Sequence, residues 1–184
     1  MIFFFLNQKE MNDEQLKILQ TSIEHKDFEK KKKSLLFEKK ILHLTDKCAI
    51  CLYRLKKSPD IKLIIKKVKK TSMYIENSYM ITKKILNKLR TKLPHFRYTL
   101  GCKKYRNNRI NLYLEYLQGK TFDDFMLKNF EKKIFLNLVS QILCILEQIQ
   151  QRHHFVHFDF HLKNILVCPC SKEKQHFKLS LIHI

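Results

Sequence analysis

The strongest constraint on the fold lies between Glu131 and Val167. From Glu131 to Arg152 the apolar residues Phe135, Leu138, Val139, Ile142, Leu143, Ile145, Leu146 and Ile149 recur at helical spacing, on a face broad enough to predict a buried helix. A polar loop follows at once, with His157, Asp159 and Asn164, and then the apolar run Ile165-Leu-Val167. A long apolar helix feeding a polar loop and a short strand holds a few side chains at fixed positions beside a core. An Asp and an Asn near a helix end can also merely cap turns, but their placement between these two elements favours a site.

Upstream of this segment the pattern is different. Ile61 to Lys69 alternates and is rich in branched residues, so it predicts a strand. A helix is expected from about Ser78 to Lys92, with Ile81, Ile85, Leu86 and Leu89 on one face and Pro94 ending it. Phe96 to Lys104 and Arg109 to Leu117 predict two more strands, joined by the polar turn Tyr105 to Asn108. Thr121 is suited to cap a short helix. Phe177 to Ile182 predicts a last strand. Residues 8 to 45 are charged and helix-prone, with an apolar stripe at Leu16, Ile18, Leu19 and Ile23, and show no chemistry. The order predicts an α+β chain of two lobes. Its parts are a charged helical extension over 1–45, a small lobe of sheet plus helix over 46–117, and the start of a helical lobe over 118–184.

The loop Phe155-Val-His-Phe-Asp-Phe-His-Leu-Lys-Asn-Ile-Leu-Val167 contains H-x-D-x-x-x-x-N. In this it resembles the catalytic loop of protein kinases and their relatives. The resemblance implies a two-lobed protein-kinase-like fold and phosphoryl transfer from ATP with Mg2+. Asp159 would be the base that takes the acceptor hydroxyl's proton, Asn164 a metal ligand, and His157 a structural residue of the loop. Leu63-Ile64-Ile65-Lys66 resembles the V-A-I-K strand, whose lysine binds the phosphates. Lys66 is the choice and Lys67 the register alternative, since a slip of one residue changes the face. Leu112-Tyr-Leu-Glu-Tyr-Leu-Gln-Gly119 resembles the segment that joins the two lobes, where backbone groups of Glu115 and Leu117 would meet the adenine edge. The helix near 78 to 92 occupies the place of the small-lobe helix whose glutamate pairs with the strand lysine, and Glu76 is the acid available. Asn87-Lys-Leu-Arg90 with Pro94, Phe96, Tyr98 and Gly101, and the Asp-x-His-x-x-Asn form of the loop, are similar to kinases of large DNA viruses. That likeness runs over about residues 60 to 167.

The sequence departs from the family pattern in three places. No glycine precedes Lys66, so the Gly-rich phosphate loop is missing. His161 stands where Ser/Thr kinases often carry a lysine, and Asp-x-His is typical of kinases acting on small molecules of the aminoglycoside or choline type. No D-F-G occurs; His183-Ile184 stand where its Asp and Phe would be. The expectation is therefore an N-terminal fragment, truncated before the main metal ligand and inactive alone, with Leu179 to Ile184 resembling sequencing-adapter read-through. A protein kinase is the leading reading. A small-molecule kinase and a catalytically dead pseudokinase serving as a binding module are the alternatives.

The formal charge is +20, from 37 Lys+Arg against 17 Asp+Glu. Such a field attracts polyanions. Arginine occurs only six times, however, while nucleic-acid readers enrich it for its planar fork. A/T-rich coding explains the lysines better, and a basic nucleic-acid-binding protein ranks a distant third, behind a kinase and a pseudokinase; the partners expected are ATP and a protein substrate. No stretch of about 18 uncharged apolar residues occurs, so no membrane span is expected. Nor is there a secretory signal, and reduced thiols in a cytoplasmic setting (host cytoplasm or virion, if viral) follow. Cys48-Ala-Ile-Cys51 lacks a second pair at zinc spacing, because Cys168-Pro-Cys170 is one residue short. Unpaired structural cysteines are expected.

Overall fold

Branched residues at alternate positions make the central strand, because each parity of side chains packs on its own side of a sheet. This strand, β4 (Lys62–Val68), sits in a five-stranded antiparallel sheet with β2 (Leu35–Thr45), β3 (Cys48–Leu55), β5 (Thr99–Lys104) and β6 (Ile110–Glu115). The strand order is β2-β3-β4-β6-β5. The coordinates are a computed structural model that describes residues 4–5, 13–24, 35–45, 48–56, 59–69, 73–90, 92, 96–154 and 160–168. The chain is α+β and divides into two compact units, one of residues 10–91 and 97–116, the other of residues 1–9, 92–96 and 117–184.

In the first unit, α1 (Asp13–Glu24) lays Leu16, Leu19 and Ile23 against Leu63, Ile65, Leu100 and Tyr113. Gly101 permits this close approach: a Cβ there would lie 2.7 Å from Ile23 Cγ2. Ile50, Leu52 and Ile64 form a separate cluster with Leu114 and Tyr116. The sequence placed residues 35–45 in a helical extension, whereas they form the edge strand β2. Its pairing with β3 carries register shifts at Phe37/Lys39, Lys40/Leu42 and His43/Thr45. Each irregularity adds a residue to one strand and breaks the period of two, so the strand does not read as one.

The helical stretch after β4 begins at Met73, five residues earlier than expected. It comprises α2 (Met73–Ile81), a π turn (Thr82–Leu86) and α3 (Asn87–Leu89). Thr82 Oγ1 donates to the carbonyls of Ser78 and Tyr79. The π turn carries an extra residue, which rotates Ile81 off the apolar face. Leu86 and Leu89 are buried, while Ile81 is exposed. The β5–β6 hairpin follows the sequence, its turn closed by Tyr105 N–H donating to Arg109 O and by Asn108 in the left-handed region at φ 57.

In the second unit, β8 (Leu166–Cys168) pairs in parallel with β1 (Phe4–Phe5) and antiparallel with β7 (Lys120–Thr121). Thr121 caps α4 (Phe122–Asn129), its hydroxyl accepting from Asp124 N–H. The long helix is α5 (Lys132–His153), which ends on His154 with φ 48. Leu138, Ile142, Ile145 and Ile149 are buried as expected; Leu136 and Leu143 are exposed, so the buried stripe is narrower than the apolar pattern. The expected strand at 177–182 lies outside the described residues.

Candidate functional site

Lys66 stands on β4, the middle strand of the sheet, opposite Ile50 on one side and Leu112 on the other. Strand alternation puts it on the face of Ile64, which forms a buried apolar cluster with Ile50, Leu52, Leu114 and Tyr116 beside it. Lys66 is half-buried, and among the described residues it has no ion-pair partner. Lys67 points the other way. Its ammonium donates to Tyr53 Oη at 2.6 Å and lies 5.1 Å from that ring's centre. Lys62 shares the Lys66 face, with its ammonium 5.8 Å from the centre of the Tyr116 ring.

Glu76 does not pair with Lys66. Its carboxylate meets Lys104 Nζ at 2.7 Å in an exposed ion pair. The earlier helix start explains this. Glu76 sits in the first turn of α2, where a negative charge also suits the helix dipole, and the side chain reaches the end of β5.

Glu115 closes β6 and is fully buried. Its side chain, for which the sequence offered no role, takes a fork-to-fork bond from Arg90 just beyond α3. Arg90 Nη2 donates to Oε1 at 2.8 Å, and Nη1 donates to Oε2. Tyr98 N–H adds a bond to Oε2 at 3.1 Å. Glu115 N–H donates to Tyr98 O at 3.0 Å, which narrows any adenine-edge contact from this residue to its carbonyl. No local signal marks Arg90 as the partner, since 25 residues separate the pair. Glu115 pairs across with Leu63, so its side chain and that of Lys66 lie on opposite faces of the sheet.

Leu117 and Asn164 belong to the second unit. Leu117 is buried against Cys168 and Leu166 of β8. Asn164 ends a 3-10 turn (Leu162–Asn164) directly before that strand, so one short strand carries both environments. The turn is closed by Asn164 N–H donating to His161 O at 2.8 Å. Asn164 Nδ2 lies 3.0 Å from His161 Nε2. With the imidazole proton on Nδ1, the amide donates there. Asn164 Oδ1 is a hard oxygen of the kind magnesium takes beside phosphates. Among the described residues no three His, Cys, Asp or Glu side chains converge. The described donors alone do not complete a metal site. Asp159 and His157 lie outside the described residues.

Cys48 and Cys51 both lie on β3, three residues apart, and so face opposite sides of the sheet. That excludes a shared metal and a redox pair at a helix start. Cys48, Cys51, Cys102, Cys144 and Cys168 form no disulfide among the described residues, and Cys170 lies outside them. No helix among the described residues is long and apolar enough to cross a membrane.

No protein-family profile matches the chain. It is 36% identical over 88 residues to "Probable kinase 098L" of Invertebrate iridescent virus 3. The match covers 47% of this chain and 17% of that relative, so the chain spans under a fifth of the relative's length. At this level the chain is similar to part of a viral probable kinase.

Proposed function

We propose that this chain carries the nucleotide-binding sheet and catalytic loop of an ATP-dependent kinase, with a protein hydroxyl as the acceptor. The observation that carries the reading is the placement of Lys66. It stands on the central strand of an antiparallel sheet, half-buried beside a buried apolar cluster, with no carboxylate pairing it among the described residues. Such a lysine suits phosphate oxygens. The sheet, with a helical stretch between β4 and β5, is compatible with a kinase-type small lobe. The partial likeness to a viral probable kinase points the same way.

In this reading Asp159 accepts the proton of the attacking hydroxyl. Lys66 holds the phosphates, and the backbone at Glu115 and Leu117 meets the base. ATP with magnesium is the implied cofactor pair, Asn164 being the ligand the described residues offer the ion. A small-molecule acceptor is the second reading, on the ground that His161 stands in the place of the lysine common in Ser/Thr kinases, with its Nε2 3.0 Å from Asn164 Nδ2.

The test is titration of the 184-residue chain with a fluorescent ATP analogue. Wild type and Lys67→Met should bind alike, and Lys66→Met should bind at least about tenfold more weakly, the scale of a lost charge-assisted contact. No binding by wild type at millimolar nucleotide refutes the proposal. In a phosphoryl-transfer assay, Asp159→Asn should abolish transfer and keep nucleotide binding. Unchanged transfer would remove Asp159 from its role.

A further inference from the structure

We infer that Arg90 is a positioning residue for the adenine-binding backbone, acting through Glu115. The inference rests on the function proposed above and adds to it a residue remote from the lysine and the loop. Four contacts converge on the end of β6. The Arg90 fork grips both oxygens of Glu115, and Tyr98 N–H donates to Oε2. Glu115 N–H donates back to Tyr98 O, and the Arg90 guanidinium lies 5.7 Å from the centre of the Tyr98 ring. One turn earlier on the same helical stretch, Asn87 brackets the Thr99 backbone. Its Nδ2 donates to Thr99 O at 2.8 Å, and its Oδ1 accepts from Thr99 N–H at 2.9 Å. Tyr98 Oη in turn donates to Gln20 Oε1 of α1 at 2.8 Å. The last residue of β6 is thus tied to α1, to the start of β5 and to the end of α3.

The chemistry of the pair argues that it serves position more than stability. A buried ion pair gives up the hydration of two charges, and a well-packed apolar pair in its place is often as stable. What an apolar pair lacks is direction. A two-pronged Arg–carboxylate bond fixes the plane and rotation of both groups, and here one group is the side chain of the residue whose backbone is proposed to meet the base. The backbone at 115 is therefore held before any ligand arrives, which removes an ordering cost from binding.

The experiment compares ATP and GTP binding by the full chain in three forms: wild type, Arg90→Met/Glu115→Met and Arg90→Lys. Thermal unfolding is followed in parallel. The double variant should unfold within a few degrees of wild type yet bind ATP about tenfold more weakly, with its preference for ATP over GTP reduced, since a small misplacement of a binding group is felt at that scale. Arg90→Lys keeps the charge and loses the fork. It should show the same loss of preference, and it carries the test if the double variant does not fold. A folded variant whose ATP affinity and base preference stay within twofold of wild type overturns the inference and leaves the kinase reading intact. Absence of nucleotide binding in wild type overturns both.

Discussion

Removing Arg90 alone should be among the most destabilising single changes in the first unit. In Arg90→Met the Glu115 carboxylate stays 0% exposed and keeps the Tyr98 N–H but loses its counter-charge. Unit charges about 4 Å apart attract by about 4 kcal/mol at an effective dielectric of about 20. Stranding one partner of a buried pair costs about 3–5 kcal/mol. Replacing both partners, Arg90→Met/Glu115→Met, should bring stability back to within about 1–2 kcal/mol of wild type, because no charge is left buried. Glu115→Met strands the buried Arg90 in the same way and should also cost about 3–5 kcal/mol, so a double-mutant cycle gives a coupling of at least about 4 kcal/mol, above the usual range for contacting residues. The Lys104–Glu76 pair is the control. Its side chains are 57% and 44% exposed, and Lys104→Met should change stability by no more than about 1 kcal/mol. Urea unfolding followed by circular dichroism measures all five proteins, provided the slope stays constant. An Arg90→Met variant within about 1 kcal/mol of wild type would refute the reasoning, since it would mean that water reaches Glu115.

Other expectations are simpler to check. Gly119→Ala should lower the melting temperature more than Gly101→Ala. A Cβ at 119 would lie 2.5 Å from the backbone oxygen of Val167 and 2.7 Å from Cys168 Sγ, whereas at 101 it meets only the Ile23 side chain. Ile145→Ala should cost about 2–5 kcal/mol in chemical denaturation, because Ile145 is 0% exposed, and Leu143→Ala on the same helix, at 61% exposed, should stay within about 0.5 kcal/mol. Burial pushes the Cys102 thiol up, with the Glu76 carboxylate adding to the shift and Lys104 and Lys83 opposing it; Cys144 is likewise raised by burial and then by Glu147. Both should alkylate slowly at about pH 8 until the chain is denatured. Glu76→Gln should speed modification at Cys102 only, as read by mass spectrometry of the labelled peptides.

Elements with one clean period were legible from sequence. The alternation in Leu63 to Val68 and in Ile110 to Glu115, the Asn107-Asn108 turn, the Thr121 cap and the spacing along α5 all rest on neighbours within a turn or a strand. What stayed hidden depends on partners far along the chain or on a broken period. The bulges of β2 disguise a strand as a charged helix, and the π turn spoils the register of the helical stretch by one residue. Arg90 entered only through the Asn87-Lys-Leu-Arg90 likeness, and only the fold brings Glu115 to it. The Glu76 assignment failed for the same reason. An acid can be found by its position, but its partner is chosen by where the helix starts.

The choice between Lys66 and Lys67 shows how the fold sharpens a motif. In a lysine-rich stretch the two are equivalent by composition, and only parity along β4 separates them. Leu63, Ile65 and Lys67 share the face that α1 covers, and there Lys67 is held by the Tyr53 hydroxyl and ring. Ile64 and Lys66 share the other, beside the buried cluster of Ile50, Leu52 and Leu114. To meet a phosphate, Lys67 would first have to leave the tyrosine, a tie that Lys66 does not carry among the described residues. The motif alone left two candidates, and the parity of β4, set by which residues bury against α1, favours Lys66.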